Sequence, residues 1–245
     1  MINFYASDKN HPQFSSNVVL EIDNLSFQYM KSIKVLEDIS ISFKEKELTI
    51  IAGPNGSGKT TLIKHLNGLL TPSKGVVKVF GHQVSSKNRR EIQKLVGVVF
   101  QNPDEQIFFP KVYDDVAFGP RNMHLSSNEV DMRVKTALQD VQIESLSERI
   151  TFNLSFGEKK RLALAGILAM RPKIIVLDEP TIGIDPWSKP RFIDIITSLK
   201  QNHTVIVISH DFDLMKKADR ILLLKKGRLV GDYRLYEEFY YQEFS

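Results

Sequence analysis

The stretch GPNGSGKT, residues 53–60, fits the pattern G-x-x-x-x-G-K-[ST] and lies between the apolar run ELTIIA and the helical pattern KTTLIKHLNGLL. Glycines in such a loop let backbone N–H groups turn inward around a β-phosphate. Lys59 then brings a point charge toward the β- and γ-phosphates, and Thr60 offers a hydroxyl to Mg²⁺. The run KIIVLDEP ends in two acids with separate uses. Asp178 is suited to hold Mg²⁺ directly or through water, while Glu179, one residue on, is suited to polarise a water for attack on the γ-phosphate. Gln101 closes another apolar run, KLVGVVFQN, and its amide suits Mg²⁺ or the attacking water. His210 closes TVIVISHD and by itself specifies no chemistry. A second anion site is expected at NLSFGEKKR, where Ser155 and Gly157 open an apolar helix whose free N–H groups and dipole converge. The pattern therefore predicts nucleoside triphosphate hydrolysis, with one more phosphate-binding helix start than a single nucleotide requires.

These residues have to be delivered by the ends of buried strands. The runs VVLEIDNLSFQY, ELTIIAG, GVVKVFG, KLVGVVFQ, KIIVLDEP, TVIVISHD and RILLLKKGRLVGD are β-rich, and several are continuously apolar, as expected of strands covered on both faces of a parallel sheet. Helical patterns such as KPRFIDIITSLKQN alternate with them, which predicts an α/β fold with a doubly wound core. From about Asn102 to Phe152 the rhythm breaks, and NPDEQIFFPKVYDDVAFGPRN followed by SSNEVDMRVKTALQDVQI predicts a mainly helical insert. Residues 1–17 are polar and unpatterned and are expected to form a flexible arm ahead of a single domain spanning 18–245.

A chain of 245 residues that is 42% apolar can bury one large α/β core, and a net charge of +4 spread along the sequence argues against nucleic acid as a partner. There is no cysteine, which excludes disulfides and thiolate metal sites. No apolar run approaches the ~20 residues of a membrane span, so any membrane role is expected to be peripheral, at the cytoplasmic face and through a partner. His65, His82 and His203 lack metal-ligand spacing, Lys225 and Lys226 suit a solvated turn, and the aromatic tail YEEFYYQEFS is expected to pack on the core or on a second subunit, the core slightly favoured.

Taken together, Tyr29, GPNGSGKT, Gln101, LSFGEKKR, VLDEP, GIDP and His210 resemble, in order and spacing, the motifs of ATP-binding cassette (ABC) ATPases, and the resemblance covers the chain from Val18 onward. It implies a P-loop core with a mostly parallel sheet, an antiparallel β edge subdomain and a helical subdomain of about 102–165. It implies that Tyr29 stacks on adenine and that Gly53, Pro54, Asn55, Gly56, Ser57, Gly58, Lys59, Thr60 and Thr61 cradle ATP. Mg²⁺ would be held by Thr60, Gln101 and Asp178, with Glu179 as catalytic base and His210 on the γ-phosphate. Ser155, Gly157 and Glu158 would bind ATP held by a facing second ATPase subunit, a copy or a paralogue, and Asp185 would communicate between the two sites. Phe156 departs from the usual Leu-Ser-Gly-Gly loop, which puts in question how closely that helix start approaches its phosphate.

Among the branches, FQNPDEQIF followed by PKVYDDVAFGPRN is similar to the ATPase subunit of energy-coupling factor importers, as is LSFGEKKRLALAGILAMRP. That implies uptake of vitamins or of cobalt or nickel ions through a transmembrane coupling protein docked near Asp104, Glu105 and Phe108, with a substrate-binding membrane protein attached indirectly. Acids at Asp104, Glu105, Asp114 and Asp115 interleaved with Phe108, Phe109 and Tyr113 suit a partner helix carrying arginines. The alternative is another ABC importer or exporter. A DNA-repair cassette would need a long coiled-coil insertion, a translation factor two cassettes, and a GTPase an Asn-Lys-x-Asp motif, and the chain has none of these.

Overall fold

A computed structural model describes residues 17–30 and 33–244. The arm expected over residues 1–17 lies, apart from its last residue, outside the described residues. Strand β1 (Val18–Met30) pairs antiparallel with β2 (Ile33–Lys44) and with β4 (Lys74–Val79), and β4 carries the short β5 (His82–Gln83), so the smaller sheet runs β2-β1-β4-β5. The larger sheet contains β3 (Leu48–Ala52), β6 (Val96–Val99), β7 (Ile174–Asp178), β8 (Thr204–Ile208), β9 (Arg220–Lys225) and β10 (Arg228–Tyr233). Its order is β10-β9-β3-β8-β7-β6, parallel from β9 to β6, with β10 added antiparallel at the edge.

The continuous apolar runs work because this sheet is covered on both sides. Along β7, Ile174 and Val176 enter a core shared with the antiparallel sheet, α1 (Lys59–Leu66) and α2 (Arg89–Leu95). Ile175 and Leu177 enter a second core, built with α3 (Val112–Asn122), α4 (Ser127–Asp140), α5 (Phe156–Ala169) and α6 (Lys189–Ser198). A period of two sends neighbouring side chains to opposite faces, so only an unbroken apolar stretch can serve both cores. Two short helices, α7 (Phe212–Met215) and α8 (Tyr236–Phe244), complete the second layer, and α8 anchors the aromatic tail through the buried Phe239.

Three expectations change. The second strand, IKVLEDISISFK, is absent from the runs expected as strands because its alternation is broken by register shifts and by Asp38 at φ 53. The run KLVGVVFQ is divided, with α2 ending at Leu95 and β6 beginning at Val96, since apolar residues alone cannot mark where a buried helix hands over to a buried strand. The end of the helical subdomain implied at about 165 falls inside α5, which is uninterrupted to Ala169.

Candidate functional site

Parallel strands aligned β3-β8-β7-β6 end at one edge, and the chemistry-bearing residues follow those ends. After β3 comes the phosphate loop. Gly53 has φ 141, and a Cβ there would lie 1.9 Å from the carbonyl oxygen of Leu224, so only glycine lets the loop leave the strand past β9. Lys59 is buried and donates to the carbonyl oxygens of Gly53 at 2.6 Å and Pro54 at 3.1 Å, which curls the loop around its ammonium group. Ser57 Oγ is buried with no hydrogen-bond partner in the chain, and nothing lies within 4 Å of a Cβ built at Gly56. A glycine-rich loop curled around a buried ammonium, with an orphaned hydroxyl, fits a phosphate group.

Beside it, Thr60 Oγ1 donates to Asp178 Oδ2 at 3.0 Å, bringing the start of α1 to the end of β7. Thr60, Gln101 and Asp178 line one cleft of about 360 Å³ together with Lys59, Glu179 and His210. Hydroxyl, amide and carboxylate oxygens fit a hard cation such as Mg²⁺, which keeps waters and phosphate oxygens as further ligands. Among the described residues no cluster of three or more His, Cys, Asp or Glu suggests a self-contained metal cage.

Glu179 has φ 44, its N–H donates to Ile208 O at 2.9 Å, and its Oε1 lies 3.2 Å from His210 Nε2. Burial pushes its carboxyl up to about 7, against the attraction of Lys59, while the neighbouring Asp178 adds to the rise. Burial also raises Asp178 despite the Thr60 bond, and burial with Lys59 holds His210 below its ordinary value, so the imidazole is neutral at pH 7. A neutral histidine beside a carboxyl titrating near neutrality is an arrangement for moving a proton to and from water.

Tyr29 is 56% exposed at the end of β1, its hydroxyl 3.3 Å from Thr61 Oγ1 and its ring edge-on to Phe27, so a flat aromatic face stands beside the phosphate loop. Ser155, Gly157 and Glu158 lie at the start of α5, outside the cleft formed by their own phosphate loop. Ser155 and Glu158 form a capping box: Glu158 Oε2 accepts from Ser155 N at 2.7 Å, and Ser155 Oγ from Glu158 N at 3.3 Å. Phe156 turns its ring onto Gly183 of the GIDP loop, where a Cβ would meet it at 2.6 Å. The bulky residue therefore packs within its own chain beside the helix start. Asp185 Oδ1 accepts from Trp187 N at 3.0 Å and Ser188 N at 2.9 Å, closing the turn that precedes α6.

In the segment after Gln101 several of the acids and aromatics also bond within the chain. Asp115 accepts from the N–H groups of Phe108 at 2.8 Å and Phe109 at 3.0 Å, Asp114 pairs with Arg121, Tyr113 bonds Asp131, and Asp104 pairs with Lys159 at 2.7 Å. These groups tie the insert together, and Asp104, Glu105 and the 71% exposed Phe108 all remain on the surface. Gln106 was not singled out by its sequence context, yet its amide accepts from Phe100 N at 2.8 Å and donates to Val98 O at 2.9 Å, extending the edge of β6 toward Gln101. Lys160 likewise gave no signal, because the pair Lys159–Lys160 resembles any solvated helix start.

Residues 36–182 match the ABC transporter family. The chain belongs to that family. The energy-coupling factor transporter ATP-binding protein EcfA of Carboxydothermus hydrogenoformans is 46% identical over 218 residues, covering 88% of this chain and 81% of that protein. The structure of cbiO1 from Clostridium perfringens, part of the ABC transporter complex cbiONQ, superposes with a TM-score of 0.86 at 36% identity, covering 93% of this chain and 92% of that one. A dimeric ATP-binding cassette in a post-hydrolysis state with ADP and Pi has a TM-score of 0.78 at 25% identity, covering 88% and 98%. This ABC ATPase is thus of the energy-coupling factor type, its fold a P-loop nucleotide-binding domain. No helix among its described residues is long and apolar enough to cross a membrane.

Proposed function

We propose that this ABC ATPase binds Mg–ATP in the cleft beneath its phosphate loop and hydrolyses it to power a micronutrient importer of the energy-coupling factor type. On this reading residues 18–245 form one ATPase domain, whose helical subdomain, expected to end near 165, continues to the end of α5 at Ala169. Tyr29 and residues 53–61 hold ATP, while Thr60, Asp178 and Gln101 hold Mg²⁺, which neutralises charge developing on the phosphates. Glu179 takes a proton from the attacking water, with His210 on the γ-phosphate. Ser155, Gly157 and Glu158 complete the site of a second ATPase subunit. The domain works at the cytoplasmic face, bound peripherally to a transmembrane coupling protein through the region of Asp104, Glu105 and Phe108, and through it to a substrate-binding membrane protein. Vitamins or cobalt or nickel ions are the expected cargo.

The observation that carries this reading is the contact of Thr60 with Asp178, 3.0 Å, beside Glu179 and His210, 3.2 Å apart. It brings a metal-binding pair and a base–histidine pair to one phosphate cradle. Glu179→Gln removes the base and leaves the cradle, so ATP hydrolysis should fall by at least about 100-fold while nucleotide affinity is kept. Steady-state hydrolysis and fluorescent-nucleotide titration measure the two, and hydrolysis near the wild-type rate would sink the assignment.

A further inference from the structure

Lys160 is 1% exposed at the start of α5, and its ammonium group does not pair with a carboxylate. Its Nζ donates instead to two backbone carbonyls, Gln101 O at 2.6 Å and Glu179 O at 3.0 Å, and lies 5.6 Å from the centroid of the Phe156 ring. A buried ammonium is costly unless its hydrogens are used, and a side chain serving packing alone would be apolar. Here two hydrogens are spent on backbone atoms of the two residues that face metal and water, one at the end of β6 and one at the end of β7.

Glu179 explains why such an anchor is needed. At φ 44 it occupies a left-handed conformation that a residue with a side chain adopts only when its surroundings hold it there. Its N–H is tied to Ile208 O and its carboxylate meets His210, while Lys160 holds the carbonyl on the opposite side. Releasing the carbonyl would let the peptide relax and swing the carboxylate out of line. Lys160 is also one turn beyond the Ser155 cap, and its neighbour Lys159 grips Asp104, so both ends of the segment 101–104 are tied to the first turns of one helix.

We propose that Lys160 is a positioning residue for hydrolysis, fixing the Glu179 and Gln101 backbones together so that the attacking geometry depends on where the start of α5 sits. The inference rests on the ATPase reading above and adds to it a mechanical link from the helix start to the base.

The test compares Lys160→Met, which keeps length and loses every donor, with Lys160→Gln, which keeps an NH₂ group with two hydrogens for the two carbonyls on a side chain one bond shorter. Full-length protein is assayed for kcat, KM for Mg–ATP, nucleotide affinity and Tm. Lys160→Met should lower kcat about tenfold or more with nucleotide affinity kept, and Lys160→Gln should restore most of the loss. A Lys160→Met protein within twofold of wild-type kcat overturns the proposal. So does a Lys160→Gln protein as slow as Lys160→Met, because the shared donors would then be irrelevant. Lys160→Leu stands in if Lys160→Met does not fold, and failure of both to fold would make Lys160 a folding residue only. Wild-type protein and Glu179→Gln run alongside: hydrolysis by the first and not the second, with Lys160→Met unaffected, removes this inference and leaves the ATPase reading intact. No hydrolysis by the wild type removes both.

Discussion

At the scale of single residues, the site depends on where protons sit at neutral pH. Glu179 is held near 7 because burial disfavours its charged form and Asp178 repels it, while Lys59, the backbone of His210 and Lys160 pull the other way. A general base acts only when unprotonated, so its useful fraction falls as pH drops below about 7 and saturates above it. Burial and the Lys59 charge displace His210 downward, away from the Glu179 titration. The expected kcat for ATP hydrolysis therefore climbs between pH 6 and 8 and then levels, measured at saturating Mg–ATP. A flat profile would separate Glu179 from the proton transfer. Lys59, Thr60, Asp178 and Glu179 are legible in the sequence because the chemistry demands those residue types at strand ends. Lys160 is not, since two adjacent lysines give no sign of which one the helix turns inward, and only the packing of α5 over β6 and β7 separates the buried Lys160 from the partly exposed Lys159.

At the scale of elements, strands buried on both faces were readable from unbroken apolar runs, whereas β2, at the edge of the smaller sheet, was not, because its pairing with β1 is irregular and its polar residues reach solvent. The insert was recognisable as helical, but its acids and aromatics were not sortable by sequence into those that hold the element and those that face outward. Asp115 caps the turn at Phe108 and Phe109, and Asp104 pairs with Lys159 of α5, while Asp104, Glu105 and Phe108 stay exposed and form the docking region proposed above. Replacing both, Glu105→Lys with Phe108→Ser, alters an exposed carboxylate and an exposed ring and leaves residues 53–61, Asp178 and Glu179 as they are. Hydrolysis by the isolated subunit should stay within about twofold, since surface changes away from such features shift stability little. Recovery of the membrane complex by co-purification should fall about tenfold or more, as expected when an apolar anchor and a charged contact at the centre of an interface are lost. Undiminished recovery would place the docking surface elsewhere.

At the scale of the whole molecule, the arrangement of the two anion-binding features argues for a pair of subunits. The start of α5 carries a capping box with Ser155 exposed, yet Ser155, Gly157 and Glu158 stand outside the cleft lined by Lys59, Thr60 and Glu179 of the same chain. Phe156, folded back on Gly183, packs within the chain beside that helix start. Two chains placed head to tail give each cleft the other's helix start, and such a pairing closes under twofold symmetry. Lys59→Ala disables a cradle and Ser155→Arg disables a helix start, so neither variant alone can form an intact composite site. Mixed and allowed to re-pair, each heterodimer joins one wild-type cradle to one wild-type helix start. Random pairing makes half of the dimers mixed, with one of two sites intact in each, so hydrolysis should recover to about a quarter of the wild-type rate from two nearly inactive preparations. The recovery should grow with mixing time as subunits exchange. If the Ser155→Arg protein alone kept full activity, the helix start would have no part in hydrolysis and the exposed cap of α5 would be only a helix terminus.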